Sequence, residues 1–311
     1  MADIGSKVVP IDGPGRITLH AIADFQCGSK SCDTWLMRRK IDEIVKDPTG
    51  GMSVILGDMT DDDRPSTRDM RKAAFASRPE VQDADARDKK FFIDHKVIPM
   101  LLPLASTKHG IIGVLAGHHW AYVKVKNAAG GHSYVNSAKY ICDELGRLTK
   151  RPVPYLGIMS AWIQLTFQIQ RKSRHKGQSV QKMIHIQHGT GGGQTLASAL
   201  NKLEMTARWA QADLLIRAHD CKLVAAKLVR IGPRPFHGGQ KKSLKAKVIP
   251  LLNIGSMTRG YLLDQEEPDY VEMQMMRPVA MGWGEAHFDI RQASQSEDPN
   301  HNYTAEIKVT I

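Results

Sequence analysis

The sequence predicts an α/β protein in which short buried strands alternate with helices, and two observations carry that reading. First, five short apolar runs, at residues 17–22, 52–56, 111–115, 183–186 and 213–216, each lead into a polar cluster: Asp24, Gly57-Asp58, Gly117-His118-His119, His188-Gly189 and His219 in turn. Runs of this length bounded by glycine and polar residues read as buried strands, and polar groups at strand carboxyl ends are where open α/β sheets bind ligands. Second, segments of helical spacing lie between them, with Trp35, Leu36, Ile41, Ile44 and Val45 in one and Leu196, Leu200, Leu203 and Ala207 in another. Asp and Gly also punctuate ordinary strand ends because turns require them. Five junctions rich in metal-ligand residue types go beyond punctuation. After Lys222 the chain is richer in strands, at 248–254 and 305–311, so a second sheet packed against the first is expected.

Composition narrows the function classes. With 311 residues and 42% apolar content the chain can bury a sizeable core. Its 43 Lys and Arg against 32 Asp and Glu give a net charge of +11, a field that attracts phosphate esters or nucleic acid. Residues 1–16 lack the apolar core of a signal peptide, and no run approaches the ~20 apolar residues of a membrane span. A cytoplasmic protein without membrane contact is the expectation. Cys27, Cys32, Cys142 and Cys221 have no repeated metal-finger spacing and read as reduced thiols.

Hydrolysis of a phosphate ester at neutral pH needs an activated water and charge neutralisation on the phosphoryl oxygens, and two divalent cations about 3.5–4 Å apart supply both. Carboxylates and imidazoles from several loops suit such cations. The order Asp24-Phe25-Gln26, Gly57-Asp58, Gly117-His118-His119, His188-Gly189 and Ala218-His219-Asp220-Cys221 resembles the calcineurin-like metallophosphoesterase series D-x-H, GD, GNH, HG and GHxH. It is most similar to single-domain phage and bacterial members described as DNA-repair-exonuclease-like, whose first motif continues as Gly28-Ser29 and Asp33 do here. In those members a glycine-rich loop also follows HG, as Gly191-Gly192-Gly193 does here.

The resemblance implies a four-layer αββα sandwich of two mixed β-sheets flanked by helices, and a phosphodiesterase or nuclease in which a metal-bound hydroxide attacks phosphorus. It makes Asp58 the carboxylate bridging two divalent ions, Mn²⁺ by family habit. Asp24, Gln26 and Cys221 fall around the first ion, His118, His188 and His219 around the second, and His119 is the general acid. A shift of one residue in loop register exchanges His118 and His119. Gln26 and Cys221 replace histidines of the family pattern, His118 replaces asparagine and Ala218 a glycine. A Gln carbonyl binds metal weakly and a thiolate is soft, so the first site is expected to favour Zn²⁺ or Fe²⁺.

The expected organisation is an N-terminal extension, residues 1–16, then one domain over 17–311 with rim insertions near 61–94 and 121–158. The basic tracts 171–182 and 241–247 either follow a polyanion such as DNA or form solvated hairpin faces. Neither interleaves aromatics, and only 6% of residues are aromatic, which argues against base stacking as the main binding mode. The glycine-rich loop presents N–H groups to a phosphate or is simply a turn. Two further functional readings stand beside the diesterase: a degenerate binding or scaffold protein on the same fold, and a small-molecule phosphatase. The oligomeric state has no sequence signal.

Overall fold

The computed structural model describes residues 4–29, 31–61, 87–127, 130–169, 178–191, 193, 195–233, 244–259, 281–293 and 303–311. Two mixed sheets stack face to face. The first carries strands β2 (Gly15–Ile22), β3 (Met52–Ile55) and β4 (Gly110–Val114) in parallel, flanked on the β2 side by antiparallel β12 (Gly284–Gln292) and β13 (Tyr303–Thr310), in the order β13-β12-β2-β3-β4. The second has the order β1-β7-β8-β9-β11-β10, built from β1 (Ile4–Ile11), β7 (Ser160–Ile169), β8 (Gln178–Gln187), β9 (Leu214–Arg217), β10 (Val224–Pro233) and β11 (Leu244–Asn253). Within it β8, β9 and β11 run parallel. A separate hairpin pairs β5 (Tyr122–Lys126) with β6 (His132–Asn136).

Alternation along β7 shows why the sheets stack. Ala161, Ile163, Leu165, Phe167 and Ile169 are buried on one face, where they meet Leu19 and Ala21 of β2 and Phe288 of β12. Phe167 and Phe288 touch across the interface with ring centroids 5.2 Å apart. Strands covered on both faces lose the alternation, and β3 and β4 are buried at every position. Their outer face packs against three helices: α1 (Thr34–Val45), α2 (Ile98–Ser106), entered through a π-helical turn at Ile93–Val97, and α3 (Ser137–Thr149). The outer face of the other sheet is covered by α4 (Leu196–Trp209) through Leu203 and Ala207 on Leu215, Ile249 and Leu251. Helix, sheet, sheet and helix make four layers, the αββα sandwich.

Helix starts are set by side-chain caps. Asp33 accepts a hydrogen bond from the Leu36 N–H at 2.9 Å, Asn136 accepts from Ala138 and Lys139, and Thr195 accepts from Ser198. These caps fix where the chain leaves the loops at the sheets' carboxyl edge.

Within the N-terminal extension, residues 4–11 form β1, in parallel register with β7 from Ile4–Trp162 to Ile11–Ile169. At the edge of its sheet β1 buries Gly5, Val9 and Ile11 while Ile4 and Val8 are exposed. Its sequence therefore lacks the continuous apolar run that marks the inner strands. Of the two expected rim insertions, residues 62–86 lie outside the described residues, and 121–158 comprises the β5–β6 hairpin and α3. Residues 171–177 and 241–243 of the basic tracts also lie outside them. Among the described residues no helix is long and apolar enough to cross a membrane.

One buried histidine gives the fold a pH signature. His185 points to the α4 side of β8, between the rings of Trp162 at 4.9 Å and Trp209 at 5.1 Å, and among the described residues neither ring nitrogen has a hydrogen-bond partner. Burial pushes its pKa down to about 4. The unfolded chain, with an ordinary imidazole near 6.5, binds more protons between those values, so acid favours unfolding there. This contribution to stability is complete above about pH 6.5 and is lost as pH falls toward about 4. Denaturation curves of His185→Leu should show a shallower loss of stability between pH 6.5 and 4 than the parent; parallel pH profiles would refute the assignment.

Candidate metal centre

The parallel strands of both sheets deliver their carboxyl ends to one edge of the sandwich. Past β2 come Asp24 and Gln26, past β3 Asp58, past β4 His118 and His119, past β8 His188, and past β9 His219 and Cys221. Backbone bonds continue the ladders into these loops: Asp24 N–H donates to Gly57 O at 3.1 Å, Gln26 N–H to Asp58 O at 2.9 Å and Asp58 N–H to Ala116 O at 3.0 Å. Asp24 O in turn accepts from Met257 N–H and from the Ser256 hydroxyl, both at 3.2 Å, so the segment after β11 closes the ring of loops.

The glycines of the motifs are required by close approach. At Gly117 (φ +80°) a Cβ would lie 2.1 Å from Asp58 Oδ1, and at Gly57 (φ +108°) it would lie 2.7 Å from the Gly117 backbone and 2.8 Å from His188 Nδ1. Among the described residues six non-glycines have positive φ, and five of them are Asp24, Gln26, Asp58, His219 and Cys221; the sixth, Lys150, caps α3. A left-handed conformation costs a side-chain-bearing residue of order 1–3 kcal/mol and persists where surrounding structure over-determines it. Here it turns the chain sharply in the loops after β2, β3 and β9.

Asp58 lies at the centre. Its Oδ1 accepts the His118 and His119 backbone N–H groups at 2.6 and 2.9 Å, while Oδ2 faces His188 Nε2 at 3.1 Å. Burial works against its charge, but the His188 ring and these N–H groups outweigh it and hold the carboxyl well below the usual range. His188 donates its Nδ1–H to Leu56 O at 2.6 Å, so in the neutral ring the lone pair is on Nε2, on the Asp58 side. The rings of His118, His188 and His219 lie 4.5–5.1 Å apart between centroids. Ligand atoms of Asp58, His118, His188 and His219 all fall within 4.8 Å of one another.

These residues fit a divalent cation. Three imidazoles and a carboxylate suit Zn²⁺, Fe²⁺ or Mn²⁺, and the bond from His188 to a backbone carbonyl is the orienting contact that metal-binding histidines have. Buried His188 Nε2 lacks an aligned hydrogen-bond partner, although it faces a carboxylate oxygen. A positive charge between the two atoms resolves that arrangement. In the metal-free chain a proton plays the part: burial opposes it, yet Asp58 and Asp24 raise His188 to about 9. Burial, followed by the charges of His188 and His118, lowers His219 to about 3 and keeps its ring neutral.

The remaining predicted residues stand around this group rather than in it. Asp24 is buried, its carboxylate accepts the His219 N–H at 3.2 Å, and burial lifts its pKa to about 7. Cys221 donates to His219 O at 3.5 Å, and burial, then the nearby Asp24 charge, pushes its thiol far above the usual range. Gln26 is half-buried at the same edge. His119 lies outside the four-residue group: its Nδ1 faces Asp61 Oδ1 at 3.2 Å and its Nε2 faces Asp58 Oδ2 at 3.9 Å.

Asp61 was not singled out from sequence, where it only opens a charged stretch; its spacing of three from Asp58 was the available signal. A second unforeseen group is the buried Asp220 carboxylate, gripped by Arg217 Nη1 and by Lys202 Nζ at 2.9 Å. Arg217 Nη2 and Lys202 also donate to Thr190 O, and Lys222 donates to Gly193 O. The glycine-rich loop thus presents carbonyl oxygens to cations, tying the His188 loop to the His219 loop. Its signals were Arg217 ending an apolar strand and Asp220 beside a ligand-type histidine.

No protein-family model and no curated protein matches the chain. Among solved structures it is similar to Vps29 of Entamoeba histolytica in complex with zinc, at 10% identity and TM-score 0.33 over 94% of this chain and 98% of that one. A single-substitution variant of the same protein gives 10% identity and 0.33 over 95% and 100%. GAP50, described as the anchor in the inner membrane complex of Plasmodium, gives 10% and 0.35 over 94% and 84%. At such identity no residue role passes from those proteins to this one.

Two measurements test the centre. Gly117→Ala must displace the Asp58 carboxylate, so Zn²⁺ affinity by titration calorimetry should fall about 10–100-fold, as for lost orienting contacts at other metal sites. Because the His188 proton must leave, metal binding at pH 7 should release protons to the buffer and weaken as pH is lowered. Binding without proton release would contradict the placement of the ion between His188 and Asp58.

Proposed function

We propose that the chain is a divalent-metal-dependent phosphoesterase acting on phosphodiester bonds, with nucleic acid as the substrate class its charge favours. The observation that carries this reading is the convergence of Asp58, His118, His188 and His219, from four separate loops, within 4.8 Å beside the His119–Asp61 pair. These four residues would hold one ion, and Asp24, Gln26 and Cys221 would complete a second site that shares Asp58. A cation here supplies an activated water and neutralises charge on the phosphoryl oxygens. Mn²⁺ suits the four-residue group, and the Gln26 and Cys221 donors favour Zn²⁺ or Fe²⁺ in the other.

The chain's own part is proton management and orientation. His119 Nε2 is the ring nitrogen on the Asp58 side, so it is the atom from which a proton passes to the leaving alcohol oxygen as the P–O bond breaks. Asp61 on Nδ1 fixes the ring. Burial lowers the His119 pKa, but Asp61 and then Asp58 overcome it, and the net shift is upward. A general acid with a raised pKa stays charged to higher pH, which extends activity on the alkaline side.

Gln26 and Cys221 favour a second reading, a binding or scaffold protein that retains one metal. Hydrolysis of a chromogenic phosphodiester, a monoester and single- and double-stranded DNA, each with Mn²⁺, Zn²⁺ and Fe²⁺, separates the two. The enzyme reading expects diester turnover that His119→Ala lowers about 10²–10⁴-fold while metal content is unchanged. Asp61→Asn should move the alkaline limb of kcat/KM to lower pH, since the attraction that raises His119 is removed. Absence of turnover on every substrate with every metal would leave the scaffold.

A further inference from the structure

The β5–β6 hairpin begins three residues after His119, and its two faces differ. Val123, Val125 and Val135 point inward to the helix-side core. The opposite face carries Tyr122, Lys124 and Lys126 from one strand and His132 and Tyr134 from the other, with Tyr122 43% and Tyr134 49% exposed. Lys124 pairs directly with Tyr134 and Tyr122 with Asn136, so the two tyrosines are diagonal neighbours, about 7–8 Å apart. Trp120 makes an edge-to-face contact with Tyr122 at 5.1 Å that steadies its ring. From His119 to Cys142 the chain has no Asp or Glu.

We propose that this face is a stacking platform for two unpaired bases of a single-stranded nucleic acid whose backbone phosphate lies at the metal centre. Exposed rings and cations on one surface are the combination that binds single strands, the rings taking bases and the cations the phosphates. Duplex DNA offers such rings no free base face. The buried valines fix which face is outward, since a slip of one residue would expose them. Three residues span at most about 11 Å between α-carbons, which keeps Tyr122 close to His119. The position of the scissile phosphate rests on the phosphoesterase reading; binding of the bases does not.

The test is fluorescence anisotropy of labelled fifteen-residue oligothymidylate and of a hairpin duplex, with chelator present so that no strand is cut. Turnover of a chromogenic diester with Mn²⁺ is followed in parallel. Tighter binding of the single strand is expected, weakened about fivefold to a hundredfold by Tyr122→Ala and by Tyr134→Ala and restored by Tyr122→Phe. Lys124→Ala should reduce the salt dependence of binding. Chromogenic turnover should survive in each tyrosine variant, which shows that the fold and centre are intact. Oligonucleotide affinity unchanged in both alanine variants, a preference for duplex, or affinity no greater than for thymidine monophosphate would overturn the platform. Ring-dependent single-strand binding without turnover would uphold the platform and sink the phosphoesterase instead.

Discussion

Asp58 holds three loops at once, two of them through its carboxylate. One oxygen takes the backbone N–H groups of the β4 loop and the other faces the imidazole of the β8 loop, while its own backbone carbonyl receives Gln26 from the β2 loop. Since β2, β3 and β4 belong to one sheet and β8 to the other, a single buried charge ties the stacked sheets together where their carboxyl ends meet. Such a charge is tolerable only if its hydrogen bonds are supplied in full. The closeness of Gly57 to Gly117, with no room for a Cβ, is the steric counterpart of that requirement.

Asp58 and the four other left-handed residues around it oppose folding, and the apolar sandwich beneath them offsets that cost. Val54, Leu56, Leu115, Ile186 and Ile216, at or just past the strand ends before the turns, are buried almost completely. A well-packed core is stiff, so it transmits little motion to the loops above it. The Arg217–Asp220–Lys202 network adds polar stiffness on the β8–β9 side, where both loops carry an imidazole.

The strands that lead into the site, β2, β3, β4, β8 and β9, were legible in the sequence because each writes a short apolar run that ends abruptly at polar residues. The ligand-type residues were legible because each follows such a run. β1, β7 and β12 were not: β1 mixes exposed and buried positions, and its parallel pairing with β7 spans more than 150 residues of sequence. Asp61 was hidden because an acid inside a charged stretch carries no pattern until the fold brings it to His119. The aromatic face of the β5–β6 hairpin was hidden because half of it comes from each strand, and interleaving exists only once Lys124 and Tyr134 are paired.

The contact between Asp24 and the segment after β11 has a consequence for assembly. The Ser256 hydroxyl reaches the Asp24 carbonyl across 232 residues, and β2 pairs with β12 over a similar separation. Contacts of such range are slow to form because the intervening chain must be closed before they give any stabilisation. During synthesis, a nascent chain that has emerged as far as the loop after β9 already carries Asp58, His118, His188 and His219. It still lacks both the strap over Asp24 and the neighbour of β2. Ion capture by the finished geometry would therefore be a late event, and a cation that arrived earlier would meet loops free to choose another coordination.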